Sequence, residues 1–243
     1  MTSAHTHDAV APRPLKEEQR PASDTIDEIA PGVLRTQLPI DMPGLGHVNM
    51  YVLEDDRGVT VVDPGLANAA TYKTITERLT RIGVPLRRVH SIVVTHSHPD
   101  HYGGAYWLQR QSGCEIITNR RFSMFWNPAE PPDIDVEDVA DLPPRRRPWD
   151  PTPWGGPGYE IPWQRRLRYM ASRRFPRLIR TPTPTIRLDD LEHVRFARRD
   201  WIALHTPGHT DDHLCLFDPE HGLMICGDHV LPTIRSEEHT SEL

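Results

Sequence analysis

Four side chains able to bind a metal fall within six residues at His96-Ser97-His98-Pro99-Asp100-His101, directly after the apolar run Ser91 to Thr95. Imidazole together with carboxylate suits zinc and its first-row neighbours. Four donors this close do not easily reach one tetrahedral ion. His96 and His98 lie two apart, so at a strand end they are expected to point the same way. Asp100 and His101 sit where the chain turns and are placed to address a second ion. A polar loop whose histidines only hydrogen-bond is the blander reading. It fits a lone histidine better than H-x-H-x-D-H behind a β-branched strand.

Two later segments extend the donor set. His205-Thr206-Pro207-Gly208-His209-Thr210 ends a strand in a turn that exposes His209. Met224-Ile225-Cys226-Gly227-Asp228-His229 ends another at Asp228. A carboxylate can bridge two cations, which singles out Asp228, and His209 would complete three nitrogens on the first ion. His213 and His229 are neighbours that could support these ligands. Asp211 and Asp212 are expected to cap the turn after His209. His47 is expected either to face the pocket or to lie on a strand surface.

The elements that must hold these residues show in the hydrophobic pattern. Val33 to Leu38 and His47 to Glu54 alternate as strands, and Asp55-Asp56-Arg57-Gly58 supplies a hairpin turn into Val59 to Asp63. Tyr72, Ile75, Leu79 and Ile82 with Gly83 predict a helix over 68–82. A buried strand runs from Val89 to Thr95, Gly103-Gly104 opens a helix to Gln111, and Glu115 to Thr118 is the next strand. This rhythm predicts an α/β fold with its site at strand C-terminal ends. Residues 127–163 show little periodicity, and a basic helix is expected from Trp163 to Leu178. Strand texture returns at Thr185–Leu188, Val194–Phe196, Trp201–His205, Leu214–Phe217 and Leu223–Cys226.

Composition narrows the class. Hydrophobic content of 37% and 25 prolines confine the core to certain segments. Residues 1–28 read as a disordered leader without a signal-peptide pattern. No apolar run approaches the roughly 18 residues of a membrane helix. A cytoplasmic protein with no membrane partner is therefore expected. Cys114, Cys215 and Cys226 lack paired spacing, so buried thiols are expected rather than disulfides. Net charge is −6, but 14 of the arginines crowd between Arg145 and Arg199. No aromatic interleaving accompanies that tract, so a solvated or interdomain face is expected there and a nucleic-acid partner is not.

Asp63 in Val-Val-Asp-Pro-Gly, the cluster His96 to His101, His209 in Thr-Pro-Gly-His-Thr and Asp228 in Cys-Gly-Asp-His together resemble the metallo-β-lactamase-fold hydrolase superfamily. The glyoxalase II and thioesterase-like branch is the nearest in character. The resemblance covers about Gly32 to Ile234. It implies an αββα four-layer sandwich over residues 29–234, with a Pro/Trp/Arg-rich insert at about 122–184. It also implies that His96, His98 and His209 hold one metal and Asp100 and His101 the other. Asp228 would bridge them, and Asp63 would support the cluster from behind. Two zinc ions are the expected cofactor, with iron or manganese as alternatives. Two adjacent cations lower the pKa of a shared water, so hydrolysis by hydroxide is the expected chemistry. Asp100 is a candidate proton acceptor, and a small-molecule thioester, ester or lactone is the expected substrate. An iron oxidoreductase of sulfur dioxygenase type is the alternative activity.

One departure bears on the site. The family supplies a further histidine well downstream of the bridging aspartate, whereas 15 residues follow Asp228. The last nine, Arg235 to Leu243, match the in-frame translation of a widely used short-read sequencing adapter. Native sequence is therefore expected to stop near Ile234, His239 is not promoted to a ligand, and a weakly active or inactive fragment is a third expectation. The Arg-rich, Lys-poor composition points to a GC-rich bacterial genome.

Overall fold

The computed structural model describes residues 15–42, 45–123, 149, 162–174 and 182–230. Two sheets carry the fold. The first has the order β1 (Ile26–Ala30), β2 (Val33–Met42), β3 (Leu45–Asp55), β4 (Gly58–Val62), β5 (Val89–Val93), β6 (Glu115–Asn119) and β7 (Ile186–Leu188). Its first four strands pair antiparallel and β4 to β7 pair parallel. The second sheet holds β8 (His193–Phe196), β9 (Arg199–His205), β10 (Leu214–Asp218) and β11 (Leu223–Ile225), all antiparallel.

Parallel neighbours need crossovers, and helices supply them. Helix α1 (Ala69–Arg81) links β4 to β5, while α2 (Pro99–Tyr102) and α3 (Ala105–Ser112) link β5 to β6. Asn68 caps α1 by accepting from Thr71 N at 2.9 Å, and Gly113 ends α3 in the left-handed conformation. The expected opening at Gly103-Gly104 is preceded by the separate helical turn α2, because Pro99 suits a first helical position. Helix α4 (Trp163–Arg174) covers the first part of the expected basic helix. The rest of it, most of the expected insert and residues 231–243 lie outside the described residues.

Strand alternation divides the core in two. Val48, Met50 and Val52 of β3, with Val59 and Val61 of β4, face Ile75, Leu79 and Leu108 of the helices. The opposite face offers Leu53, Val62, Val93 and Ile117 to Trp201, Ala203, Leu214 and Leu216 of the second sheet. The result is the expected α/β sandwich, with the described layers being the helices α1 to α3, the first sheet and the second sheet. Arg199, buried and paired within the second sheet, also ties that sheet to the first. Arg199 donates to Asp218 at 2.9 Å and to the Pro31 carbonyl at 3.2 Å.

The expected disordered leader is corrected from residue 15 onward. Glu17–Gln19 form a 3-10 turn against β3, and Ile26–Ala30 pair with β2. Polar composition hid this, since an edge strand buries little apolar surface. The tie is polar: the Arg20 carbonyl lies 2.9 Å from His47 Nδ1, and Arg78 and Arg81 donate to the Ser23 and Asp24 carbonyls. No described helix is long and apolar enough to cross a membrane.

Trp201 is fully buried between the sheets, with its indole N–H donating to the Phe196 carbonyl at 3.0 Å. Trp201→Ala should destabilise the protein by about 3–5 kcal/mol. Urea unfolding should show this as a lower midpoint, and an unchanged midpoint would contradict the packing.

Candidate metal centre

The site forms where β4 and β5 end side by side. Asp63 follows β4 with φ 55, a left-handed conformation that aspartate tolerates better than most residues. Its N–H still donates to Val93 O at 3.0 Å, so the bend is anchored to β5. The buried carboxylate accepts from Thr95 N at 2.9 Å, Thr95 Oγ1 at 2.8 Å and His101 Nδ1 at 2.9 Å. With Nδ1 donating, His101 turns Nε2 toward Asp228 Oδ1 at 3.4 Å and Asp100 Oδ2 at 3.6 Å. Thr95 Oγ1 also lies 3.0 Å from His96 Nδ1.

His96 and His98 converge, although not as alternate residues of a strand. Strand β5 stops at Val93, and His98 is the N-cap of α2. Their ring centroids stand 4.6 Å apart, and His209 joins them at 5.0 Å from His96 and 4.6 Å from His98. One ligand atom each from His96, His98, His209 and Asp228 lies within 4.8 Å of the other three. His209 Nε2 is 3.0 Å from His98 Nδ1 and 3.5 Å from Asp228 Oδ2. These spacings bracket the edge of about 3.3 Å expected between donors placed 2.0–2.1 Å from a tetrahedral zinc. His96 Nε2 is buried and has no hydrogen-bond partner among the described residues. An orphaned buried ring nitrogen facing three other donors fits a cation. Asp100, His101 and Asp228 form an adjoining group that shares Asp228.

Charge agrees with this. Burial and four neighbouring imidazoles hold His96 well below the usual range. Burial, His209 and His101 push His98 down to about 3. His101 goes the other way: burial opposes its charge, but Asp228 and Asp63 outweigh it and raise the pKa well above normal. Burial likewise opposes ionisation of Asp228, yet His101 and the other rings hold it well below the carboxylate range. Neutral lone pairs on His96 and His98 beside an ionised Asp228 are what a divalent cation requires.

Other residues resolve as follows. His213 is buried, its Nδ1 lies 2.9 Å from Thr206 Oγ1, and its ring is 5.1 Å from that of His96. Burial pushes it down to about 4. His229 packs 5.6 Å from His213. Gly227 holds this corner at φ 47, where a Cβ would sit 2.8 Å from Thr95 Oγ1 and 2.9 Å from His213 Nε2. Asp212 does more than cap a turn: it is buried, accepts from Ser97 Oγ at 3.1 Å, and burial pushes its pKa up to about 6. His47 lines the cavity and also bonds Gln37 Nε2 at 2.9 Å.

A cavity of about 220 Å³ opens beside the cluster, lined by Asp100, His101 and Asp228 and by Arg35, Asn49 and Tyr51. Tyr51 does not stand out in the sequence. Its signal is alternation: His47, Asn49 and Tyr51 share one face of β3, opposite Pro39, Gln37 and Arg35 of β2. Burial, with Cys226 nearby, pushes the Tyr51 phenol up to about 12, so it stays a donor at neutral pH. Thr95, which joins Asp63 to His96, is equally inconspicuous in the sequence.

The family model of the metallo-beta-lactamase superfamily matches residues 43–240, and the chain belongs to that superfamily, whose members are typically metal-dependent hydrolases. A hydroxyacylglutathione hydrolase of Albidiferax ferrireducens is 33% identical over 85 residues, 35% of this chain and 30% of that protein. The uncharacterized protein YobT of Bacillus subtilis is 26% identical over 187 residues, 76% of this chain and 63% of its own. A metallo-beta-lactamase family protein of Thermus thermophilus aligns with a TM-score of 0.63 at 24% identity, covering 86% of this chain and 63% of that one. A beta-lactamase domain protein from Burkholderia ambifaria gives 0.60 at 25% identity, covering 90% and 60%. The chain thus spans less than two thirds of each of these relatives.

Asp63→Ala leaves His101 unoriented and should weaken divalent-metal binding roughly 10- to 100-fold in chelator competition; unchanged affinity would contradict its role as anchor. In metal-free protein, burial pushes His98 down to about 3 and His213 down to about 4, below the usual 6.5. The unfolded chain binds their protons first, so stability is lost as pH falls from about 6.5 toward 3–4. His101, raised instead, gains stability as pH falls, but that gain is complete by about 6.5. Asp212 also works oppositely, between 3.8 and about 6. It is outnumbered there by His96, His98 and His213, so the melting temperature of chelated protein should drop between pH 7 and pH 5.

Proposed function

We propose that this chain carries the catalytic centre of a bacterial, cytoplasmic hydrolase that uses two zinc ions on a small-molecule thioester, ester or lactone. The observation that carries the reading is the orphaned, buried Nε2 of His96 within a group of four donors that lie inside 4.8 Å of one another. In this reading His96, His98 and His209 would hold one ion, Asp100 and His101 would hold the other, and Asp228 would serve both. Bound zinc would lower the pKa of water and polarise a carbonyl oxygen.

The protein's own groups do the rest. Asp63 fixes the His101 tautomer by accepting from Nδ1, which leaves Nε2 as the free lone pair. Asp100, buried beside His101, serves as proton acceptor as well as ligand. Tyr51 donates a hydrogen bond to the substrate from the cavity wall. The partial likeness to a hydroxyacylglutathione hydrolase supports an acyl substrate of that kind.

Zinc-loaded protein should hydrolyse members of a panel of acylglutathione thioesters, aryl esters and lactones. Chelation or His98→Ala should abolish turnover, and Tyr51→Phe should lower kcat/KM roughly tenfold or more with metal content unchanged. Full turnover by metal-free protein would refute the proposal. So would iron in the natively purified protein together with substrate-dependent oxygen consumption.

A further inference from the structure

Helix α4 is unlike the other helices. Helices α1 and α3 bury their apolar faces against the first sheet, whereas Trp163, Leu167 and Met170 of α4 are 67%, 50% and 45% exposed. Positions 163, 167 and 170 follow the i, i+4, i+7 spacing of a single helical face. The same twelve residues, Trp-Gln-Arg-Arg-Leu-Arg-Tyr-Met-Ala-Ser-Arg-Arg, hold five arginines and no acidic residue. The chain as a whole carries −6, so this positive charge is local. Trp149 adds a second indole at the flank, with the Arg166 guanidinium 5.5 Å over its ring.

We propose, against the composition-based expectation of no membrane partner, that α4 docks the protein onto an anionic lipid surface, with Trp163, Leu167 and Met170 entering the headgroup boundary and the net positive charge of the helix drawing it there. An apolar stripe with tryptophan, low overall hydrophobicity and clustered basic residues is the pattern of helices that lie in a bilayer interface. Size argues against a protein partner on this face alone. Twelve residues make a helix about 18 Å long and about 10 Å wide, a footprint of roughly 200 Å². A stable protein interface needs about 800 Å² from each partner. A bilayer has no such requirement, because insertion depth and charge supply the affinity. Twelve residues are also too few to span, so the association is peripheral.

The test is flotation of the full chain with phosphatidylcholine vesicles, with and without phosphatidylglycerol. Wild-type protein should float with the phosphatidylglycerol vesicles only, and added salt should release it. Leu167→Glu and, separately, Met170→Glu should lower the bound fraction roughly tenfold while leaving zinc content and far-ultraviolet circular dichroism unchanged. Both side chains are exposed, so neither change removes core packing. The proposal is overturned if wild-type protein ignores phosphatidylglycerol vesicles or binds neutral ones equally, or if both variants bind as wild type does. It is also overturned if the stripe instead holds two copies together, seen as a dimer that Leu167→Glu dissociates.

Discussion

A carboxylate taken out of water costs several kcal/mol unless its oxygens are used, and at Asp63 they are. One oxygen accepts from the Thr95 amide, the other from the Thr95 hydroxyl and from His101. These bonds join the end of β4, the end of β5 and helix α2. They also set His101 and, through Thr95, touch His96. Any displacement of Asp63 would leave a buried charge unpaired and the imidazoles unaligned together. Precision at the centre therefore comes from this residue rather than from the length of any helix.

Why the site lies where it does follows from the sheets. In β4, β5 and β6 successive residues alternate between the helices and the second sheet, which leaves both faces covered. Only the strand ends are open to polar groups. The loops after β5, β9 and β11 all emerge at this open end and bring His96 to His101, His209 and Asp228 together. Arg199, paired with Asp218 inside the second sheet, also donates to the Pro31 carbonyl between β1 and β2 and so links that sheet to the first.

Burial disfavours the charged form of His96 and His98, and the crowding of imidazoles at 4–5 Å adds to the effect. The exception, His101, is charged because it faces two carboxylates. A cation would replace that proton and use the lone pairs its neighbours already present. Burial likewise keeps the Tyr51 phenol protonated in the cavity wall.

Much of this was legible in the residues themselves. His96-x-His98-x-Asp100-His101 behind a β-branched run, and glycine or proline turns before His209 and Asp228, encode local geometry that needs no partner to be read. The hairpin at Asp55 to Gly58 and the capped helix behind Asn68 are likewise local. Three things were not. Residues 15–28 join the fold through backbone carbonyls that any sequence possesses, so composition could not distinguish an edge strand from a leader. Thr95 and Tyr51 are ordinary strand residues until β4, α2 and β11 are placed around them. Which nitrogen of His101 is free depends on Asp63, 38 positions away. Local pattern determines elements and donor types, because propensity and spacing act within a few residues. Distances between donors, their ionisation and their partners belong to tertiary packing, because burial and Coulomb interactions are summed over neighbours the chain brings together only on folding.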